Sequence, residues 1–218
     1  MPGAGKTLDE VAPPWRWAFE EAWASWIAGS LGIGCVLVDA EGETVARGRN
    51  RVLEPARSGR VAGTLLAHAE MDGFAALGLR TAAGLTLFTT VEPCLMCSAT
   101  AIAMRLSHVC FASPDPVFEG LAEVLDAHPY ADQRTPTRTL LDHNLLAAVG
   151  NVLPLANRVW SRPGLEPRPE WLRFNLPSWR AAVELVGSGT MSVLAARPAT
   201  VDELIDAIGP TLRDHGAI

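Results

Sequence analysis

Residues 85–111, LTLFTTVEPCLMCSATAIAMRLSHVCF, contain the pattern that decides the fold. The run from Leu85 to Thr90 is apolar and β-rich and has the length of a buried strand. Pro93 suits the first turn of a helix, and we expect that helix to continue towards Arg105. A further apolar run from His108 to Ala112 predicts the next strand. Strands that alternate with helices indicate a layered α/β domain.

The chain before this stretch predicts a helix, a hairpin and a second helix. Aromatic residues recur at helical spacing from Trp15 to Ile27, which is typical of an amphipathic helix. Ile33 to Asp39 and Thr44 to Asn50 are extended runs joined by a turn signal, so they predict a β-hairpin. We expect the second helix to start at Thr64 as its N-cap and to stop at Gly78.

The chain after this stretch predicts more loop and helix. Residues 113–139 are rich in loop-forming residues, with a short helix expected from Leu121 to Ala127. A helix around Leu140 to Ala148 closes the core, and further helical patterns follow at 178–187 and 200–214. We therefore divide the chain into a flexible N-terminus (1–14), a core domain (15–150) and a C-terminal extension packed on the core (151–218).

Composition limits the classes of protein to consider. The 218 residues are 49% hydrophobic, enough for a sizeable core, and the net charge is −6. An acidic balance disfavours a polyanionic partner such as tRNA, because neutralised phosphates supply most of that affinity. The chain lacks both an apolar run of ~18 residues and the layout of a secretory signal, so we expect no membrane contact. Four cysteines without a signal favour free thiols and a cytoplasmic location.

The residues with the clearest chemistry are His68-Ala69-Glu70 and Pro93-Cys94-Leu95-Met96-Cys97. Zinc binds imidazole nitrogen and thiolate sulfur, and catalytic sites keep three protein ligands and one open position. Two cysteines three residues apart share one face of a helix, and the helix N-terminus favours their thiolates. Glu70 need not be a ligand and is well placed to move a proton beside the metal. The pattern predicts an activated water with an adjacent general acid and base.

A closed zinc site that only stabilises the fold is the structural alternative. It requires a fourth protein ligand, for which Cys35 and Cys110 are the candidates. Both lie inside apolar strand runs, where free cysteine usually acts as a small hydrophobic residue. A closed site also gives Glu70 no role, so we favour the open, catalytic site.

The same residues carry a family resemblance. H-x-E followed by P-C-x-x-C is the signature of zinc nucleobase deaminases. Over about residues 15–150 the chain resembles the cytidine/deoxycytidylate deaminase superfamily, in particular its tRNA-adenosine and guanine deaminase branch. The matching segments, in family order, are Gly34 to Val38, Asn50-Arg51, His68 to Glu70, Glu92 to Cys97 and Arg105 to Phe111.

The resemblance implies a fold, a cofactor and residue roles. The fold would be a three-layer α/β/α sandwich around a five-stranded mixed sheet, assembled as a homodimer. His68, Cys94 and Cys97 would hold Zn²⁺, and Glu70 would move protons between water, ring nitrogen and leaving amine. Asn50 would hydrogen-bond the base or its sugar from the end of the second strand.

Other polar residues have two interpretations each. Asp115 could accept hydrogen bonds from a substrate amino group, or could be a turn residue between two prolines. Arg47, Arg49 and Arg51 alternate along one strand and would form either a phosphate-contacting stripe or a solvated face.

Aromatic residues in the extension also have two interpretations. They could stack on a base as part of a lid over the site, or pack against the core. These residues are Trp160, Trp171, Phe174 and Trp179.

Three functional hypotheses follow. The first is hydrolytic deamination of a nucleobase or nucleoside, with purine-like substrates somewhat favoured. The second is adenosine-to-inosine deamination in tRNA, which the acidic charge disfavours. The third is a non-catalytic, zinc-stabilised scaffold or binding module, against which Glu70 counts.

Overall fold

The computed structural model describes residues 7–78, 81–167, 169–197 and 199–218, without the side chains of residues 170–175. Its strands are β1 (Gly34–Val38), β2 (Thr44–Arg49), β3 (Thr86–Thr89), β4 (His108–Phe111) and β5 (Thr137–Leu140). Its helices are α1 (Pro13–Ile27), α2 (Ala69–Leu77), α3 (Leu95–Ala103), α4 (Leu121–Asp126), α5 (Pro129–Asp132), α6 (Asn144–Ser161), α7 (Pro169–Gly187), α8 (Thr190–Ala196) and α9 (Val201–Asp214). Single 3₁₀ turns lie at Thr7–Asp9 and Pro116–Phe118.

The five strands form one mixed sheet in the order β2-β1-β3-β4-β5. β1 pairs antiparallel with β2 and β3, while β3, β4 and β5 run parallel to one another. Parallel neighbours need a crossover connection, and α3 supplies the one between β3 and β4. The predicted α/β sandwich with a five-stranded mixed sheet is confirmed.

Both faces of the sheet are covered, as the alternation along β1 shows. Val36 and Val38 pack with Ala18 of α1. Cys35 and Leu37 join the opposite cluster, which includes residues of α2 and α3. Every residue of β1 is buried, which is expected for a strand with helices on both sides.

Two glycines allow helices to approach the sheet closely. A Cβ on Gly34 would lie 2.2 Å from the backbone nitrogen of Ala22 in α1, and one on Gly48 would lie 2.2 Å from the carbonyl oxygen of Ala69 in α2. No side chain fits at such distances, so glycine is required at both positions. The contact at Gly48 matters for function because it fixes the start of α2 against the sheet.

The start of α2 differs from the prediction. The predicted N-cap, Thr64, lies in a turn in which its carbonyl oxygen accepts the N–H of Ala67 at 3.0 Å. The cap is His68, in extended conformation, and the helix begins one residue later. The predicted stop is confirmed, because Gly78 takes a left-handed conformation with φ of 63°.

The structure also adds elements to the region predicted as loop and extends the C-terminal helices. β5 (Thr137–Leu140) lies at the end of residues 113–139, for which the sequence predicts loop and one short helix. α6 continues to Ser161, across the predicted domain junction at 150–151. Residues 1–6 of the predicted flexible N-terminus lie outside the described residues.

The C-terminal helices pack on the core through a single apolar cluster. Trp23 of α1, Leu153 of α6, Leu185 of α7 and Leu204 of α9 all belong to it. The indole of Trp23 also donates a hydrogen bond to the carbonyl of Ala199 at 2.9 Å. In the part of the chain that the structure describes, no helix combines the length and apolar character that crossing a bilayer requires.

Candidate metal centre and its cavity

His68 occupies the N-terminal end of α2, where the chain enters from the loop after β2. Its carbonyl oxygen accepts the N–H of Asp72 at 2.9 Å, which starts the helix. Its side chain is half-buried. α2 packs on β2 at Gly48, so the sheet fixes the position of the His68 imidazole at the start of the helix.

Cys94 occupies the corresponding position on α3. It is the N-cap, and Cys97 lies in the first turn. The hydroxyl of Ser98 donates to the carbonyl of Pro93 at 3.1 Å, and the N–H of Ser98 donates to the carbonyl of Cys94 at 2.8 Å. Both bonds hold the turn that presents the two sulfurs.

The structure brings the three predicted ligands together. The Sγ atoms of Cys94 and Cys97 lie 3.5 Å apart, and Nδ1 of His68 lies 3.5 Å from the first and 3.6 Å from the second. A tetrahedral zinc with bonds of about 2.3 Å to sulfur and 2.0 Å to nitrogen places such atoms about 3.5–3.8 Å apart. The donor set and its spacing therefore fit zinc.

The other two cysteines do not belong to this group. Cys35 is fully buried, and its thiol donates to the carbonyl of Ala69 at 3.2 Å. Burial raises the pKa of both the Cys35 and the Cys110 thiol, which keeps them neutral. Among the described residues only His68, Cys94 and Cys97 converge on one point, which leaves the fourth position of a tetrahedral ion without a protein ligand.

The first thiolate of the site is stabilised by its neighbours. The side-chain hydrogen bond with Cys97 is the largest cause that lowers the pKa of Cys94, to about 4, and His68 adds to it. The hydrogen bond from His68 to this thiolate in turn raises the pKa of the imidazole. The site is therefore an anion-stabilising pocket at the ends of two helices.

Glu70 lies directly beside the three donors. It is only 4% exposed, and its Oε2 accepts from the Cys97 thiol at 3.3 Å. Its Oε1 accepts from the hydroxyl of Thr89 at 3.2 Å, which fixes the carboxylate from the sheet. Burial raises the pKa of Glu70 above its ordinary value. A carboxyl group with a raised pKa is suited to both taking and giving a proton.

Asn50 follows β2 directly and is 1% exposed. Its Oδ1 accepts from the hydroxyl of Ser30 at 2.7 Å and from the N–H of Val52 at 3.1 Å. The backbone donor identifies this atom as oxygen, so the other terminal atom is Nδ2. That Nδ2 has no hydrogen-bond partner among the described residues. A buried donor without a partner is costly unless a ligand satisfies it.

A cavity of about 350 Å³ joins these side chains. Asn50, His68, Glu70 and Cys94 line one side of it, and Asp115 lies on another. Its size is within the usual range for small-molecule sites. The cavity therefore brings the metal group, the proton-moving carboxylate and the unpaired amide of Asn50 to one space.

Asp115 is a turn residue that also lines the cavity. Its Oδ1 accepts the N–H of Val117 at 3.0 Å and caps the 3₁₀ turn, as a turn residue does. It also lines the cavity. Burial raises its pKa, Glu92 and Cys94 raise it further, and Arg158 lowers it.

Three residues of the site were not predicted from sequence. Thr89 orients Glu70, as described above. Glu92 accepts the N–H of Asp115 at 3.1 Å and pairs with Arg138 at 2.6 Å, which ties the loop at 113–118 to the Cys94 turn. Arg158 of α6 lines the cavity. Only Glu92, adjacent to Pro93, carries a signal in the sequence.

The arginines of the second strand are arranged differently from both interpretations. Arg51 is 6% exposed and binds Asp72 at 2.8 Å and Glu54 at 3.0 Å. Arg49 binds Glu54 at 3.1 Å. Only Arg47 is exposed, and it pairs weakly with Glu20 at 3.5 Å. Arg49 and Arg51, through their pairs with Glu54 and Asp72, hold the loop that precedes His68.

The aromatic residues of the extension do not line the cavity where the structure describes them. Trp179 is part of the core cluster. Trp160 lies on α6 with its ring 6.3 Å from that of Trp26. Trp179 therefore packs against the core, and Trp160 is half exposed beside Trp26, while the side chains of Trp171 and Phe174 lie outside the described residues.

Known proteins share this sequence pattern. The family model for the cytidine and deoxycytidylate deaminase zinc-binding region matches residues 15–113. A tRNA-specific adenosine deaminase of Streptococcus pyogenes serotype M1 is 32% identical over 146 residues, which are 65% of this chain and 80% of that protein. A tRNA(Ile)-lysidine synthase of Deinococcus radiodurans is 32% identical over 132 residues, 57% of this chain but only 22% of that protein.

The fold and the His-Cys-Cys group with its adjacent glutamate define the class of zinc-dependent hydrolytic deaminases. A solved guanine deaminase from Nitrosomonas europaea shares the fold, with a TM-score of 0.50 at 21% identity over 66% of this chain and 85% of that one. The chain belongs to the cytidine and deoxycytidylate deaminase superfamily.

Proposed function

We propose that this protein deaminates a nucleobase or nucleoside by hydrolysis, replacing an amino group with oxygen and releasing ammonia. The observation that carries the proposal is the position of Glu70. Its buried carboxylate lies 3.3 Å from Cys97 and lines the same cavity as the metal group. A zinc site that served only the fold would not need a buried carboxylate at its open side.

The residues divide the work between binding and proton transfer. His68, Cys94 and Cys97 would hold the zinc, which when bound would supply a water with its pKa lowered to ~7. Glu70 takes the proton from the attacking water and passes it to the ring nitrogen of the substrate. It then takes the remaining proton from the added hydroxyl and delivers it to the departing amino group as the C–N bond breaks, so that one water is consumed for each ammonia released.

Asn50 is proposed to position the substrate. Its Oδ1 is occupied by Ser30 and Val52, so that the amide cannot rotate without losing both bonds. The unpaired Nδ2 then remains as a fixed donor for an acceptor on the base or its sugar.

A purine-like small molecule is the substrate that we favour. Relatives of the chain are named for adenosine and guanine, and both are purines. The net charge of −6 and the pairing of Arg49 and Arg51 with carboxylates leave little positive surface for a polyanion.

We also propose that the protein is cytoplasmic and forms a homodimer. Size-exclusion chromatography with light scattering tests the homodimer directly.

Ammonia release tests this proposal. Zinc-loaded protein would be incubated with adenine, guanine, cytosine and their nucleosides, and ammonia would be measured by a coupled assay. We expect turnover of at least one purine. If no compound in the set reacts while the protein contains one zinc per chain, the small-substrate proposal is wrong.

Deamination of adenosine in tRNA is the second candidate. The similarity to a tRNA-specific adenosine deaminase supports it, whereas the charge of the chain does not. Such an enzyme must bind the tRNA backbone, and that binding weakens steeply with salt. A gel shift of total tRNA at low salt that disappears at higher salt would favour this candidate, and no shift at low salt would remove it.

A further inference from the structure

A second cavity, of about 570 Å³, adjoins the one that contains the metal group. Glu92, Asp115, Pro116 and Asn151 line both cavities and form their common boundary. The first cavity alone is within the usual range for a small ligand, so the second provides space beyond a reacting ring.

The C-terminal extension builds the far wall of this second cavity. Ser178 lies on α7, and residues 216–218 follow α9. Ala147 lies on α6, also lines the cavity and is half-buried. The extension is therefore placed to select what lies beyond the reacting ring.

The lining of the second cavity determines what it can hold. Asn144, Asn151 and Ser178 offer amide and hydroxyl groups, and Asp115 and Glu119 offer carboxylates. None of the described residues that line it is Lys, Arg or His. A phosphate there would face the carboxylates of Asp115 and Glu119 with no cation among the described lining residues, whereas hydroxyl or amino groups would find acceptors.

We propose that the second cavity binds the non-reacting part of the substrate, a phosphate-free group rich in hydroxyl or amino donors, such as an unphosphorylated pentose. This inference rests on the proposed deaminase activity and specifies its substrate as a nucleoside-like molecule. Ser178 and residues 216–218 then contribute to substrate choice.

Substrate pairs test the proposal. Kinetics would be measured for adenosine, guanosine and cytidine, for their free bases and for their 5′-monophosphates. For whichever of the three rings is deaminated, we expect kcat/KM to be higher for its nucleoside than for its free base or its 5′-monophosphate. A preference for the monophosphate or for the free base would overturn this proposal alone, whereas no reaction with any of the nine compounds would contradict the small-substrate proposal on which it rests.

A substitution that fills the second cavity links the preference to this space. Ala147→Phe is expected to lower the ratio of kcat/KM for nucleoside to that for free base by about tenfold or more, because a filled pocket rejects the larger ligand. The matched control is Ala207→Phe on the exposed face of α9, for which both rates should stay within about twofold of wild type.

The ratio of kcat/KM for nucleoside to that for free base separates a loss of nucleoside selectivity from a general loss of activity. Circular dichroism and zinc analysis would first show that Ala147→Phe folds and contains metal. If Ala147→Phe does not fold, Ser178→Leu on α7, which lines the same cavity, replaces it. An unchanged ratio in a folded, zinc-containing variant would contradict the proposal.

Discussion

At the scale of single residues, Glu70 is expected to be needed for turnover and not for zinc. Glu70→Gln keeps the size of the side chain and can still accept from Thr89, but it cannot take and give a proton. We expect kcat to fall by about 10²–10⁴. Metal analysis should still find one zinc per chain. Glu41→Gln, at an exposed turn, is the control, and activity near wild type in Glu70→Gln would remove the proposed role.

Asn50 allows its binding role to be separated from its structural role. Asn50→Ala removes both the unpaired Nδ2 and the acceptor Oδ1, and we expect kcat/KM to fall by about 10- to 100-fold. Ser30→Ala leaves Nδ2 in place and removes one of the two partners of Oδ1, together with the acceptor of the Leu53 N–H, so it should lower thermal stability while kcat/KM stays within about threefold. Equal losses of kcat/KM in both variants would mean that Asn50 acts only through the fold.

The sequence pattern identifies the reacting residues of the site, but it does not identify the residues that hold them in place. The spacing of Cys94 and Cys97 is read directly because helix geometry fixes it. Thr89 and Arg158 are ordinary residues in sequence, and they reach the site only through the pairing of β3 and the path of α6. Long-range packing of this kind leaves no local pattern.

At the scale of elements, the loop before α2 is expected to depend on pH through Glu54. Burial raises the pKa of Glu54, but hydrogen bonds and charges from Arg49 and Arg51 outweigh it, so the pKa lies below its ordinary 4.5. Because the folded-state pKa is the lower one, this stabilisation is present above pH 4.5 and is lost as the pH falls through the folded-state value.

Glu54→Gln tests this dependence. At pH 7 we expect the free energy of unfolding to fall by about 1.5–3 kcal/mol, because a charged hydrogen bond to Arg51 is lost. The difference from wild type should shrink below pH 4.5 in urea titrations. Glu43→Gln, at an exposed position, is the control. A difference that is constant with pH would contradict the ionic role of Glu54.

The accuracy of prediction also differs among the elements. β1 is an apolar run buried on both faces, and β3 alternates half-buried and buried residues within the β-rich run from Leu85 to Thr90, so composition identifies both as strands. β5 has three exposed residues out of four and is a strand only because β4 pairs with it. Thr64 is a favourable N-cap by local preference, but backbone hydrogen bonds of Arg51 with Gly63 and Ala67 hold residues 63–67 in a turn, so α2 starts later.

At the scale of the whole molecule, the sheet and the extension share one apolar cluster. α1 contributes Phe19 to it, and α7 and α9 contribute Leu185 and Ile208. The extension therefore stabilises the face of the sheet opposite α2 and α3 and is placed beside the second cavity. This arrangement explains why a chain longer than the family-matched region, residues 15–113, forms a continuous core.

Zinc is expected to stabilise the whole fold, because its ligands join α2 to α3 across the end of the sheet. A ligand at 100 times its Kd contributes about 2.7 kcal/mol, which for a protein of this size is about 5–10 °C in Tm. Removing zinc with a chelator should lower Tm by that amount in calorimetry. Cys94→Ala should lack zinc and show no further change on chelation, while Cys110→Ala should behave like wild type. If metal analysis shows that chelation removes the zinc while Tm stays constant, the two helices are held together by packing alone and the metal serves only the reaction.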